Sequence, residues 1–180
     1  PENKDEIAAI VTQLKPDLLV LASYGKILPA DALEAPIYGC LNVHPSLLPK
    51  YRGATPLQSA ILNGDTETGV TIMEMVPAVD AGAILMQEKV GLNQTETYAE
   101  LKEKLAQIGA KLLLKAVPTF LAGQAKAHEQ TGEATMTRKL TKEMGEINWD
   151  EPAENIDRQI RALNPWPGTY LALGSGLLKV

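Results

Sequence analysis

Histidine and cysteine are scarce in this chain of 180 residues: the only histidines are His44 and His128, and the only cysteine is Cys40. A single cysteine excludes an internal disulfide. Its default reading is a buried structural thiol, which suits a reducing compartment. Two histidines and one cysteine at no ligand-like spacing leave metal chemistry without a donor set, so no metal is expected. A basic excess is missing too. With 22 acidic and 17 basic residues the net charge is -5, and composition does not announce nucleic-acid binding. No apolar run approaches the roughly 20 residues needed to span a bilayer. No secretory signal is visible either, so a membrane partner is not expected. Ser46 has no Gly-x-Ser-x-Gly context, which weakens a serine-nucleophile reading. Internal repeats and low-complexity tracts are absent.

What is present is ample apolar material, 45% of the residues, enough for a sizeable core and one full domain. Asn3 with Glu6 forms a capping-box pattern, and Ile7, Ile10, Val11 and Leu14 then recur at helical spacing. Leu18 to Ala22 is a short apolar run that fits a buried parallel strand, and Tyr24 to Pro29 leaves it as a loop. Leu41 to His44 reads as the next strand. Thr55 is placed to cap a helix with Pro56 at its first position, running to about Leu62. Asn63-Gly64-Asp65 stops it. Val70 to Val76 reads as a strand, Pro77 to Gly82 as a loop and Ile84 to Val90 as a returning strand. Thr97 with Glu100 makes a second capping box. The helix behind it carries Leu101, Leu105, Ile108 and Leu112 on one stripe and ends near Gly123. Strands alternating with helices indicate an α/β layer fold. From Gln124 to about Asn148 the periodicity fades, as in a linker. Pro152 starts a short helix with Ile156, Ile160 and Leu163 inward. Asn164-Pro165-Trp166-Pro167-Gly168 is a rigid turn, and Tyr170 to Val180 reads as a hairpin about Gly174-Ser175-Gly176.

The chemistry concentrates at one strand end. Asn42 and His44 are two residues apart, so on a strand they share a face, while Leu41 and Val43 point the other way. A proline-rich loop follows at once, and open parallel sheets place their ligands at such strand ends. A positioned amide beside an imidazole suits a reaction that builds an oxyanion and moves a proton. Asp80 reads either as a turn residue before Gly82 or as a third polar group returned to the same sheet edge. Lys50 and Arg52 are either solvated charges or anion contacts beside the cleft. Arg138, Lys139 and Lys142 form a basic cluster whose default reading is solvated surface. His128 reads as a surface residue, and Glu74 needs no role.

The run Asn42-Val43-His44-Pro45-Ser46-Leu47-Leu48-Pro49-Lys50-Tyr51-Arg52-Gly53 resembles the signature of the folate-dependent formyltransferases. The likeness continues through Ala54-Thr55-Pro56-Leu57-Gln58, Thr68-Gly69-Val70-Thr71-Ile72-Met73, Val79-Asp80-Ala81-Gly82 and Ala162-Leu163-Asn164-Pro165-Trp166-Pro167-Gly168. Within that family it is most similar to the branch acting on initiator methionyl-tRNA. The resemblance implies a Rossmann-like open, mostly parallel sheet with its first strands missing, followed by the start of a small β-rich C-terminal domain. The implied division is 1–130 for the C-terminal part of the catalytic domain, 131–149 for a linker and 150–180 for the beginning of an OB-like domain. A Gly-rich βαβ unit is expected before Pro1 and most of the second domain after Val180, so the 180 residues alone are expected to be folded but inactive.

The resemblance further implies Asn42, His44 and Asp80 as catalytic residues and 10-formyltetrahydrofolate as co-substrate. Ser46, Leu47, Leu48 and Pro49 would contact the folate. Leu21, Lys26, Ile27 and Leu28 would hold the pterin ring, with Val79 in the loop forming the opposite wall. An apolar wall with backbone groups at its edge suits a flat heterocycle. The implied reaction is direct formyl transfer to an amine without a covalent intermediate. Asn42 and His44 would donate to the growing oxyanion, and Asp80 would orient His44. The implied setting is the bacterial cytosol or an organelle matrix, and the implied full-length state is a monomer. Pro45, where the methionyl-tRNA branch commonly has a small residue, and Ala83, where relatives carry a polar one, are the departures. They leave the substrate open. A glycinamide ribonucleotide formyltransferase, which often has proline at position 45, is opposed by the run of residues 52–58 and the Trp166 turn. An amino-sugar formyltransferase of the UDP-4-amino-arabinose type shares the Trp-Pro-Gly turn and is the runner-up. A non-catalytic fragment that binds a partner is the reading from a different class.

Overall fold

A computed structural model describes residues 4–174 and 176–180; the capping-box pattern at Asn3 lies outside them. Helix α1 (Lys4–Leu14) leads into β1 (Leu19–Ala22), a short helix α2 (Ala30–Glu34) and β2 (Cys40–His44). Next come β3 (Arg52–Gly53), α3 (Pro56–Leu62), β4 (Glu67–Glu74), β5 (Ile84–Gly91) and the long α4 (Tyr98–Leu121). The chain closes with β6 (Met136–Thr137), α5 (Ala153–Leu163), β7 (Tyr170–Leu173) and β8 (Gly176–Lys179). Helix α2 follows a loop with no long apolar stripe, and sequence periodicity did not reveal it.

The main sheet has the order β1-β2-β4-β5. Its β1 and β2 run parallel, with Leu21 beside Asn42. Strands β4 and β5 then fold back antiparallel, which sets Met73 beside Asn42 and Thr71 beside His44. The result is a Rossmann-like α/β layer in which the end of β2 is flanked on both sides. One face is sealed by α4. Leu101, Leu105, Leu112 and Ala116 of that helix pack with Leu41, Val70 and Ile72 of the sheet, all nearly free of solvent contact. The helix can come this close because residue 109 has no side chain. A Cβ on Gly109 would stand 2.9 Å from Val43 Cγ1. At the helix start the capping box is complete: Glu100 N–H donates to Thr97 Oγ1 at 3.3 Å, and Thr97 N–H donates back to Glu100 Oε2 at 2.9 Å.

Thr55 occupies the N-cap position of α3 without capping it. Its hydroxyl donates instead to the Arg138 carbonyl, 2.8 Å away. That bond belongs to a seam that ties the expected linker to the loop after β2. Strand β6 pairs in parallel with β3, Arg52 N–H donates to Thr135 O at 2.9 Å, and Tyr51 N–H donates to Thr135 Oγ1 at 2.8 Å. His128 exchanges two backbone hydrogen bonds with Ile84 of β5. The strand pairing and the His128–Ile84 pair use backbone groups and leave no periodic trace in the side chains, while the Thr55 and Thr135 hydroxyls add to the seam. Helix α5 also joins the first core, where Ala162 and Leu163 cluster with Leu57 and Ile61 of α3. The hairpin β7–β8 carries its Leu173, Leu177 and Leu178 exposed. Among the described residues, no helix is long and apolar enough to cross a membrane.

Candidate functional site

The site is built where β2 ends and the connection between β4 and β5 comes back over it. That connection is drawn tight by a backbone hydrogen bond from Glu74 N–H to Ala83 O, 2.9 Å. Its turn can close because residue 82 is glycine: a Cβ there would fall 1.9 Å from the Glu74 carbonyl oxygen. Asp80 sits on this turn with φ +46, in the left-handed region that side-chain-bearing residues seldom adopt.

Three neighbours meet the Asp80 carboxylate. Gly53 N–H donates to Oδ2 at 2.7 Å, made possible by a backbone with φ +107 at that glycine. Asn42 Nδ2 donates to Oδ1 at 3.5 Å. His44 Nδ1 lies 3.6 Å from Oδ2. The structure thus brings Asn42, His44 and Asp80 into one cluster.

His44 is 3% exposed, and its other ring nitrogen, Nε2, stands 2.9 Å from the Tyr51 carbonyl oxygen. A carbonyl can only accept, so Nε2 carries the proton and Nδ1 presents its lone pair toward Asp80. Burial holds the imidazole below its ordinary value of 6.5, against the opposing pull of the Asp80 charge and the Tyr51 carbonyl. The neutral ring is therefore the resting form near pH 7. Neither ring nitrogen opens on solvent.

Beside this cluster lies a cleft of about 530 Å³, within the range of roughly 300–1,000 Å³ usual for small-molecule sites. Leu21, Lys26, Ile27, Leu28 and Val79 line it, as do Asn42 and Asp80. Ile27 and Val79 are 61% and 46% exposed, an uncovered apolar pair on the wall of the cleft. Lys139 of the basic cluster reaches the same cleft.

Ser46, Leu47, Leu48 and Pro49 do not border the cleft. Their loop is turned inward by its own bonds. Ser46 Oγ donates to Lys50 O at 2.5 Å, and Thr71 Oγ1 donates to Ser46 O at 2.6 Å while accepting from Leu48 N–H at 3.2 Å. Leu48 itself packs with Met73 and Ile84. The segment shapes the loop that carries Tyr51 and Gly53. Lys50 pairs with Asp65, its Nζ lying 2.9 and 2.8 Å from the two carboxylate oxygens. Arg52 donates to Gln130 Oε1 from Nε at 3.0 Å and from Nη2 at 2.7 Å. Both basic side chains are thus engaged within the protein. Among the described residues, no group of three or more histidine, cysteine, aspartate or glutamate side chains could hold a metal ion.

Tyr51, Gly53 and Gln130 are the site residues that sequence reading missed. The first two lie inside the motif at Asn42–Gly53 but act through backbone groups. Gln130 sits in a polar stretch with no signal of its own.

The formyl transferase family model matches residues 1–117, and the model for the formyl transferase C-terminal domain matches residues 139–180. The chain is 43% identical over 169 residues to the methionyl-tRNA formyltransferase of Myxococcus xanthus, covering 93% of this chain and 54% of that protein. It is 46% identical over 171 residues to the enzyme of the same name from a Geobacillus species, covering 94% and 54%. The chain therefore spans about half the length of the curated relatives it matches. In fold it is similar to HypX from Aquifex aeolicus, solved in complex with tetrahydrofolic acid. The TM-score is 0.84 at 21% identity, over 95% of this chain and 30% of that one.

Proposed function

The chain belongs to the formyl transferase family, and from that premise we propose that the full-length protein transfers a formyl group from 10-formyltetrahydrofolate to the amino group of initiator methionyl-tRNA. The observation that carries this reading is the meeting of Asn42, His44 and Asp80 beside a cleft with an apolar wall, which Asn42 and Asp80 line. The volume and apolar lining of the cleft suit a flat heterocycle such as the pterin of the folate. Leu21, Ile27, Leu28 and Val79 would hold the pterin ring between apolar surfaces, with Lys26 at its edge. The bound donor supplies an activated formyl carbonyl.

The residues of this chain do the rest. Asn42 has two amide N–H groups. One faces Asp80, and the other is available to an oxygen that gains negative charge in the cleft. His44 is given a role other than oxyanion donor, since its two nitrogens face Tyr51 and Asp80. Asp80 stands between the cleft and His44. It takes the proton leaving the acceptor amine as the new C–N bond forms, and the imidazole behind it stabilises the shift of charge by sharing that proton at Nδ1. The proton passes to the donor nitrogen as its bond to the formyl carbon breaks and tetrahydrofolate leaves. The Gly53 N–H keeps the carboxylate aimed throughout. No nucleophilic side chain is needed, so transfer is direct.

Of the two acceptors left open by the motifs, methionyl-tRNA is favoured by the identity to proteins of that name. Arg138, Lys139 and Lys142 are the candidate phosphate contacts. A monomer in the cytoplasm is the setting we assign, with residues 1–130 as catalytic unit, 131–149 as connecting segment and 150–180 as the opening of a second domain. The test is formylation by the full-length protein, with radiolabelled methionyl-tRNA and a UDP-linked 4-amino sugar offered in parallel. Formyl-methionyl-tRNA is the expected product. Transfer to the amino sugar with none to the tRNA would replace this reading.

A further inference from the structure

We infer that Gln130 is a positioning residue for the reaction, holding Asp80 in register with Asn42 and His44. This rests on the role just proposed for Asp80, but its geometry stands apart from any choice of substrate. The Gln130 side chain makes four hydrogen bonds with its one amide group. Its Nε2 donates to the Asp80 carbonyl at 2.8 Å and to the Gly82 carbonyl at 2.8 Å. Its Oε1 accepts from Arg52 Nε at 3.0 Å and from Nη2 at 2.7 Å.

The two halves of this clamp grip the two things that place the Asp80 carboxylate. The Nε2 side closes the turn on which Asp80 sits at φ +46, a conformation that needs outside support. The Oε1 side fastens Arg52, the neighbour of Gly53, whose N–H holds Asp80 Oδ2 at 2.7 Å. The Asp80 backbone and the anchor of its side chain are thereby locked to one planar group. Gln130 is itself held from both directions, by the His128–Ile84 backbone pair and by the pairing of β6 with β3.

Only an amide supplies two donors and an acceptor from one rigid plane. Glutamate keeps the Arg52 half but opposes two carbonyls with a carboxylate. Methionine keeps the volume and loses both halves. Gln130 neither lines the cleft nor has a hydrogen bond to Asn42 or His44, so it acts through Asp80. Displacing a reacting group by about 1 Å costs roughly 10²-fold in turnover, and that is the size of effect expected in kcat.

The test uses the full-length protein with Gln130→Glu, Gln130→Met and Arg52→Met. Each is read by steady-state kinetics and by NMR of the His44 imidazole and the Gly53 amide. The expected result for Gln130→Glu is a fall in kcat of about 10²-fold with KM for the formyl donor changed by less than about threefold. In Gln130→Met, which adds no charge, the His44 titration should move lower as the Asp80 charge draws away, and in both Gln130 variants the Gly53 amide should lose its exchange protection. Arg52→Met should move the same two signals less. Should Gln130→Glu fail to fold, Gln130→Met and Arg52→Met carry the comparison. Unchanged His44 and Gly53 signals in folded variants overturn the inference, whether or not kcat falls. If those signals move as stated in a protein that formylates no amine, the clamp stands and the proposed function fails.

Discussion

Replacing Asp80 with asparagine isolates what its charge does, because the shape is kept. Asparagine retains one carbonyl oxygen for the Gly53 N–H, which lies 2.7 Å from the native carboxylate, so the turn should survive, at the cost of the long 3.5 Å bond from Asn42 Nδ2, which would then meet an amide NH2. What is lost is the stabilisation of a protonated His44 across the 3.6 Å gap. A full charge pair at that distance interacts by about 1 kcal/mol with the screening of bulk water and about 5 kcal/mol at an effective dielectric near 20. The two side chains are 17% and 4% exposed, so an intermediate loss of about 3 kcal/mol is the working figure, equivalent to roughly 10²-fold in rate. On the proposed mechanism, loss of proton acceptance at the carboxylate adds to this. The assay is single-turnover formylation of methionyl-tRNA by the full-length variant, with the dissociation constant of a non-reactive folate analogue measured alongside. The expected outcome is a rate down by at least about 10²-fold with analogue affinity kept within about threefold. The His44 titration should also fall, since the charge that raises it is gone. A variant within about threefold of the wild-type rate, or one whose His44 titration stays put, would refute the reasoning.

Asn42→Ala should lower turnover by about 10²–10³-fold, the usual cost of one oxyanion donor, while leaving analogue affinity nearly unchanged; comparable losses in both would reassign Asn42 to binding. His44 makes folding pH-dependent. Its native value lies below the ordinary 6.5 because of burial, so below that pH the unfolded chain binds the extra proton first. The contribution of His44 is complete above about 6.5 and is lost as pH falls through the lowered native value. Urea midpoints of wild type and His44→Asn should therefore converge on acidification, and a gap that widens would contradict the buried neutral ring. Cys40 is pushed up to about 11 by burial from the ordinary 9.0, and its thiol faces the carbonyls of Ala32 and Leu33. At pH 8 its thiolate is about 100-fold rarer than in an exposed thiol. Reaction with a chromogenic disulfide should be slow in the native protein and rapid in urea; fast native labelling would place the thiol at the surface.

Much of this protein follows from the chain's own pattern. The α4 stripe of Leu101, Leu105 and Leu112, the capping box of Thr97 and Glu100, and the same-face pair Asn42 and His44 depend on residues a few positions apart. Helix and strand periods translate such spacing directly into geometry. The cleft wall at Leu21, Lys26, Ile27, Leu28 and Val79 was legible through the family motifs. Other features were settled only when distant segments met. Ser46 to Pro49 turn inward because Thr71, 25 residues beyond Ser46, accepts and donates there. The expected linker is sewn to Arg52 and Gly53 by backbone pairing that any residue could make, with the Thr135 and Thr137 hydroxyls adding side-chain contacts, so no composition or period announces it. His44 owes its tautomer to a carbonyl at Tyr51, and Asp80 owes its aim to an N–H at Gly53 and an amide at Gln130, 50 residues further along. Identity alone placed the polar groups on one sheet edge. Their mutual orientation came from hydrogen bonds between turns, whose partners are chosen by the path of the folded backbone.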